Sequence, residues 1–148
     1  MREPRLTKAR MMRRALGIVL GTIAAMLVIY AIELVAQFLY PFPDTVETAN
    51  RADLAVVMDG VPVAAKLLVV TAWFAGAFCG SWLALRVSDW RWSGWIVVLF
   101  LIAGGVANLV AIPHPLWMQV ASIAAPIAGG WIARRMHHKP YRGEPLLG

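Results

Sequence analysis

Hydrophobic positions in this chain fall into four long, almost unbroken runs, at about 15–40, 61–87, 94–112 and 115–133. Each is close to or above the roughly 20 helical residues that cross a hydrocarbon core of about 30 Å. In lipid, only helices and closed barrels satisfy every backbone group, and unbroken apolar runs exclude the alternation of a barrel. The pattern therefore predicts an all-α integral membrane protein, a four-helix transmembrane bundle over 15–133 with basic flanks at 1–14 and 134–148. A basic start before an apolar run is also how a signal peptide reads. Here the run exceeds the roughly 7–15 residues of a signal core and ends in Gln37-Phe38-Leu39-Tyr40-Pro41, without a small-residue cleavage site, so it is expected to be retained.

Polar interruptions separate the runs. The longest, 41–60, opens with Tyr40-Pro41-Phe42-Pro43, where proline stops the helix and extends the chain. Leu54, Val57, Met58 and Val61 then recur at helical spacing, which fits either a short interfacial helix or an ordinary acidic loop. The other breaks are Ser88 to Ser93 and Pro113-His114-Pro115.

Charge adds a direction. Arg2, Arg5, Lys8, Arg10, Arg13 and Arg14 precede the first run, Arg86 and Arg91 border the second break, and Arg134, Arg135, Lys139 and Arg142 follow the last run. The 41–60 loop instead carries Asp44, Glu47, Asp53 and Asp59 against Arg51. Lysine and arginine stay on the cytoplasmic side, so both termini are expected inside and the acidic loop outside. Composition agrees with a bilayer environment, with 60% hydrophobic residues against roughly 45–50% in soluble proteins. The net charge of +6 is confined to the flanks of apolar segments, which favours the lipid bilayer as partner over nucleic acid. Trp90, Trp92, Trp95, Trp117 and Trp131 stand near the ends of the runs, as an aromatic belt requires, while Trp73 and Trp82 lie deeper. A single cysteine, Cys79, excludes an intrachain disulfide or a multi-cysteine metal site.

Helices in lipid associate through close backbone approach, and small residues four apart permit it. Gly17 and Gly21, then Gly76, Gly80 and Ala84, then Ala121, Ala125 and Gly129 form such stripes, serving packing within the bundle or a homodimer seam. Pro126 is expected to kink or loosen the last helix.

Ionisable residues inside apolar runs cost about 2.5–3.5 kcal/mol at mid-helix on insertion scales and are functional candidates by default. Glu33 and Lys66 are the two. Tyr30, Glu33, Gln37 and Tyr40 form a polar stripe on the first helix, and Lys66 shares a face with Trp73, Ala77, Gly80 and Ala84. With Asn108 and His114 in the same outer half, Glu33 and Lys66 are expected to form an intramembrane polar cluster, with a purely structural Glu33–Lys66 pair as the competing outcome. His137 and His138 are expected in a solvated tail. No phosphate loop, zinc helix or nucleophile elbow is present, so no catalytic, cofactor-binding or metal residues are assigned and an enzyme is not expected.

A lone glutamate in the first helix of a small bundle resembles the small multidrug resistance transporters, in which such a carboxylate exchanges protons for cationic drugs. Lys66 and the long outer loop depart from that pattern. Tyr40-Pro41-Phe42-Pro43, Trp73 with Gly76 and Gly80, and Ile112-Pro113-His114-Pro115-Leu116-Trp117 together look like small uncharacterised bacterial membrane proteins, a resemblance that implies an inner-membrane location and no activity. The expectation is a non-enzymatic accessory or interaction subunit with a larger membrane protein partner or a second copy. A small oligomeric transporter working through Glu33 and Lys66 is the alternative.

Overall fold

The computed structural model describes residues 3–41 and 51–137, with side chains over 7–41 and 53–137. Expectations that fall on Arg2, Arg5, Asp44, Glu47, Arg51, His138, Lys139 and Arg142 concern side chains outside those described. The chain forms α1 (Glu3–Leu39), α2 (Arg51–Gly60), α3 (Val63–Ser88), α4 (Ser93–Ala111) and α5 (Leu116–Met136), with no strand among the described residues. α1, α3, α4 and α5 are each long and apolar enough to cross a membrane.

Helix boundaries follow backbone chemistry. Pro41 stands just past α1, and Pro62 and Pro115 occupy the positions before α3 and α5 with extended ψ of 144° and 147°. α3 ends at Asp89, whose φ of 48° is left-handed, a conformation that the short polar side chains of Asp and Asn tolerate best after glycine. Two features differ from the apolar pattern. α1 does not start where the apolar run starts: its 37 residues continue back through the basic flank to Glu3, a length of about 55 Å. Arginine, lysine, methionine and alanine are good helix formers, so loss of hydrophobicity there does not end the helix. The 41–60 interval does contain a helix, α2, so of the two outcomes open for it the helical one is observed.

α3 is the centre of the bundle. It packs on α1, α4 and α5, while α1 meets α3 chiefly and α4 secondarily. In the most apolar window of each helix, 39% of α3 is buried against 22% of α1, which makes α1 an edge helix. The two run antiparallel along a seam of small residues. A Cβ built on Gly21 would lie 2.6 Å from the Gly80 carbonyl oxygen, and one on Gly80 would lie 2.5 Å from the Gly21 carbonyl oxygen. Gly76 meets Ile29 and the Ala25 carbonyl in the same way, and Gly17 meets Ser88. Gly17, Gly21, Gly76 and Gly80 thus stand where the backbones of α1 and α3 approach each other.

The interior is correspondingly small-grained. The largest fully buried side chains are Leu85, Val97, Val98, Pro126, Ser81 and Ser93. Cohesion comes from many dispersion contacts between close backbones, not from large apolar side chains filling a gap. Gly129 lies against the Phe74 carbonyl and Phe78 amide of α3, and Gly130 against Val98 of α4. On α5 the buried residues are Met118, Ser122, Pro126, Gly129, Gly130 and Ala133. Ala121 and Ala125 sit half-buried at the margin of that face, so the α5 seam is turned by about one residue from the stripe of alanines. Helical structure continues through Pro126.

Candidate functional site

The two ends of the bundle differ in chemistry. The end carrying the start of α1, the α3–α4 turn and the finish of α5 is basic and aromatic. Arg13 pairs with Asp89 at 3.0 Å. Four guanidinium groups lie over indole rings: Arg14 on Trp90 at 5.0 Å, Arg86 on Trp82 at 4.5 Å, Arg91 on Trp92 at 5.4 Å and Arg135 on Trp131 at 5.3 Å. Trp82 is therefore an exposed partner of Arg86 one helical turn away and belongs with the belt. Trp73 is half-buried, with its ring packed on Gly105 of α4. His137 stands at the C-cap of α5 with its amide donating to the Ala133 and Arg134 carbonyls and only 7% of its surface exposed, so it is packed at the helix end and not in a solvated tail.

The opposite end holds the expected polar residues, and packing separates them. Lys66 is only 7% exposed, Glu33 and Asn108 are half-buried, and no ion pair links Glu33 to Lys66 among the described residues. Rotation and register explain the separation. On α1 the seam runs through Gly17, Gly21, Ala25 and Ile29, and Glu33 lies about 80° around the helix from Ala25. It sits at the margin of the seam. Lys66 projects in line with Ala84, which lies against α1, and within about 20° of Trp73 and Ala77, which lie against α4 and α5. The antiparallel pairing of Gly21 with Gly80 and Ala25 with Gly76, carried outward at equal rise, sets Lys66 level with Val35 to Leu39, about one turn beyond Glu33.

His114 is held by its own turn. Its Nδ1 lies 2.7 Å from the Ile112 carbonyl oxygen, which can only accept, so Nδ1 is the donor of that bond. Gln119 Nε2 donates to the His114 carbonyl at 2.8 Å, and the Ile112 amide donates to Asn108 at 2.9 Å. These bonds close the α4–α5 connection on itself. Leu39 at the end of α1, Tyr40 and Pro41 after it, Val56, Val57 and Gly60 of α2, and Val61 and Pro62 line a pocket of about 490 Å³ with mostly apolar walls.

Buried hydroxyls elsewhere are used structurally. Ser81 donates to the Gly94 carbonyl at 3.1 Å across α3 and α4, and Ser122 donates to Met118 at 2.7 Å within its own helix. No group of three or more metal-ligating side chains occurs among the described residues. One feature that hydropathy did not point to is that α3 and α5 both begin after a proline with no side-chain cap. Pro62 and Pro115 carried that signal in the sequence. Comparison with family models, curated proteins and solved structures finds no match.

Proposed function

We propose that the chain is a multi-pass protein of a bacterial inner membrane, with both termini cytoplasmic, acting as a non-enzymatic accessory subunit that binds a larger membrane protein along α1. The observation that carries this reading is the edge position of α1. One stripe of it is committed to α3, while Leu16, Val19, Ile23, Leu27, Leu34 and Phe38 remain exposed over its whole apolar length. The interior supports a binding role over transport, since the α1–α3 seam closes backbone to backbone and the buried serines are bonded internally. Arginines over tryptophans at one end and the acidic Asp53 and Asp59 at the other favour the termini-inside orientation.

Photocrosslinking from Ile23 or Leu27 in native membranes is the test, with Leu99 on the exposed side of α4 as control. One larger membrane protein captured from α1 and not from Leu99 is the expected result. A product of twice the chain's mass would replace the reading by a homodimer, and lipid adducts alone would reject it. Reporter fusions at each terminus and at residue 50 test the orientation, and an extracytoplasmic terminus would overturn it.

A second reading, a small oligomeric transporter, is favoured by Lys66 and Glu33 lying toward the same end of the bundle. It requires proton-coupled flux in proteoliposomes that Glu33→Gln abolishes.

A further inference from the structure

Four arginines at the basic end, Arg14, Arg86, Arg91 and Arg135, are exposed and have neither a hydrogen bond nor an ion pair among the described residues. Each lies instead over an indole, Trp90, Trp82, Trp92 and Trp131 in turn, at 4.5 to 5.4 Å from the ring centre. The ring attracts the charge through its quadrupole but offers no oxygen acceptor. The five N–H donors of each guanidinium are therefore left for another ligand. Asp89, the one carboxylate at this end among the described side chains, is bonded to Arg13.

Packing brings the four to a common depth. Gly17 lies against Ala84 and Ser88, so Arg14, three residues earlier on the antiparallel α1, comes level with the turn that carries Arg91. Gly129 lies against Phe74 and Phe78, so Arg135, six residues further along the parallel α5, comes level with Trp82, about one turn short of Arg86. All four fall within about two helical turns along the bundle axis. In a bilayer that is the layer where an aromatic belt meets the headgroups.

Direction narrows the ligand. Arg86 stands about 160° around α3 from the buried Ala84 and Ser88, and Arg135 about 160° around α5 from the buried Ala133. Both are turned to the perimeter, and Trp82, Trp92 and Trp131 are exposed beside their arginines. Groups exposed on α1, α3, the α3–α4 turn and α5 do not converge on one enclosed solute. They suit a ligand that surrounds the bundle.

We propose that this collar selects anionic phospholipid, binding the headgroup phosphates of the adjoining leaflet through guanidinium groups held over indole rings. A guanidinium takes a phosphate bidentately, and the ring restricts the side chain before the lipid arrives, so less freedom is lost on binding. A zwitterionic lipid offers the same phosphate with its charge cancelled, which sets the preference. The inference rests on the reading of the chain as a membrane protein, and depends neither on its orientation nor on a partner along α1.

Thermal unfolding of the full chain tests the selectivity, in maltoside micelles doped with phosphatidylglycerol or with phosphatidylcholine of the same acyl chains. Phosphatidylglycerol should raise the melting temperature at a mole fraction where phosphatidylcholine does not. Arg86→Gln and Arg135→Gln should each raise the phosphatidylglycerol needed for half the effect about fivefold, the worth of one basic group at an anionic surface. Arg134→Gln removes the same charge from a side chain over no ring among the described residues, and should shift it by less than about twofold, since a solvated charge is screened. Trp131→Leu keeps every charge and should reproduce most of the Arg135→Gln loss. The proposal is overturned by an equal response of the wild type to the two lipids, by equal stabilisation with dissolved inorganic phosphate, by equal losses from Arg134→Gln and Arg135→Gln, or by an unchanged response of Trp131→Leu. A chain that stays folded and monodisperse without detergent would instead refute the membrane reading beneath it.

Discussion

Replacing Gly80 with alanine adds one methyl group at the tightest point of the α1–α3 seam. The new Cβ would stand 2.5 Å from the Gly21 carbonyl oxygen, 2.7 Å from the Ala25 Cβ and 3.2 Å from Val97. The first of these partners is backbone, so no rotamer change relieves it. Reaching ordinary contact at 3.4 Å opens the seam by about 0.9 Å, and a gap of that size forfeits roughly a quarter to a half of each dispersion contact along it. Overpacking of this kind costs about 1–3 kcal/mol, while exchanging glycine for alanine inside a helix returns up to about 1 kcal/mol in water. The net expectation is a loss of about 1–2 kcal/mol. Gly104 supplies the control, because a Cβ there meets nothing within 4 Å. Gly104→Ala keeps the propensity gain without the clash and should be neutral or stabilising by up to about 1 kcal/mol. Reversible unfolding of the two variants in mixed micelles measures the contrast directly. If Gly80→Ala proves as stable as Gly104→Ala, the seam is not held by backbone contact and the account of the core fails.

Three further outcomes follow from individual side chains. Ser81→Ala removes a buried bond to the Gly94 carbonyl and should lower unfolding stability by about 1 kcal/mol. Arg13→Gln breaks an ion pair whose members are 59% and 44% exposed, so a change of more than about 1 kcal/mol in the same assay would contradict its classification as a surface pair. Asp89→Gly should be tolerated at its left-handed φ of 48°, whereas Asp89→Val should cost about 1–2 kcal/mol, and equal melting temperatures for the two would refute the αL assignment.

Helix positions were legible because hydropathy is a local property, and three of the four long helices begin and end within about three residues of the apolar runs. The exception is the start of α1, where hydrophobicity falls but helix propensity does not. Gly17, Gly21, Gly76 and Gly80 could be assigned to a seam from spacing alone, since only small residues four apart bring two backbones so close. Ala121 and Ala125 show the limit of that rule. Their spacing is equally good, yet α5 presents Met118, Ser122, Pro126 and Gly129 instead, because the rotation of a helix is chosen by the best fit of both partners.

The candidate site divides along the same line. Its residues and their depth come from the sequence: Glu33, Lys66, Asn108 and His114 lie in one half of the chain's apolar core, and two prolines there precede helices. Whether Glu33 meets Lys66 was decided by tertiary packing. The contacts of Gly21 with Gly80 and of Ala25 with Gly76 fix rotation and register, which place Glu33 at the margin of the α1 seam and Lys66 about one turn beyond it. A charge pair that sequence spacing allowed is thus split by about one helical turn and by the rotation of α1. Periodicity specifies what a helix offers on each side, and only the contact between helices specifies which side is used.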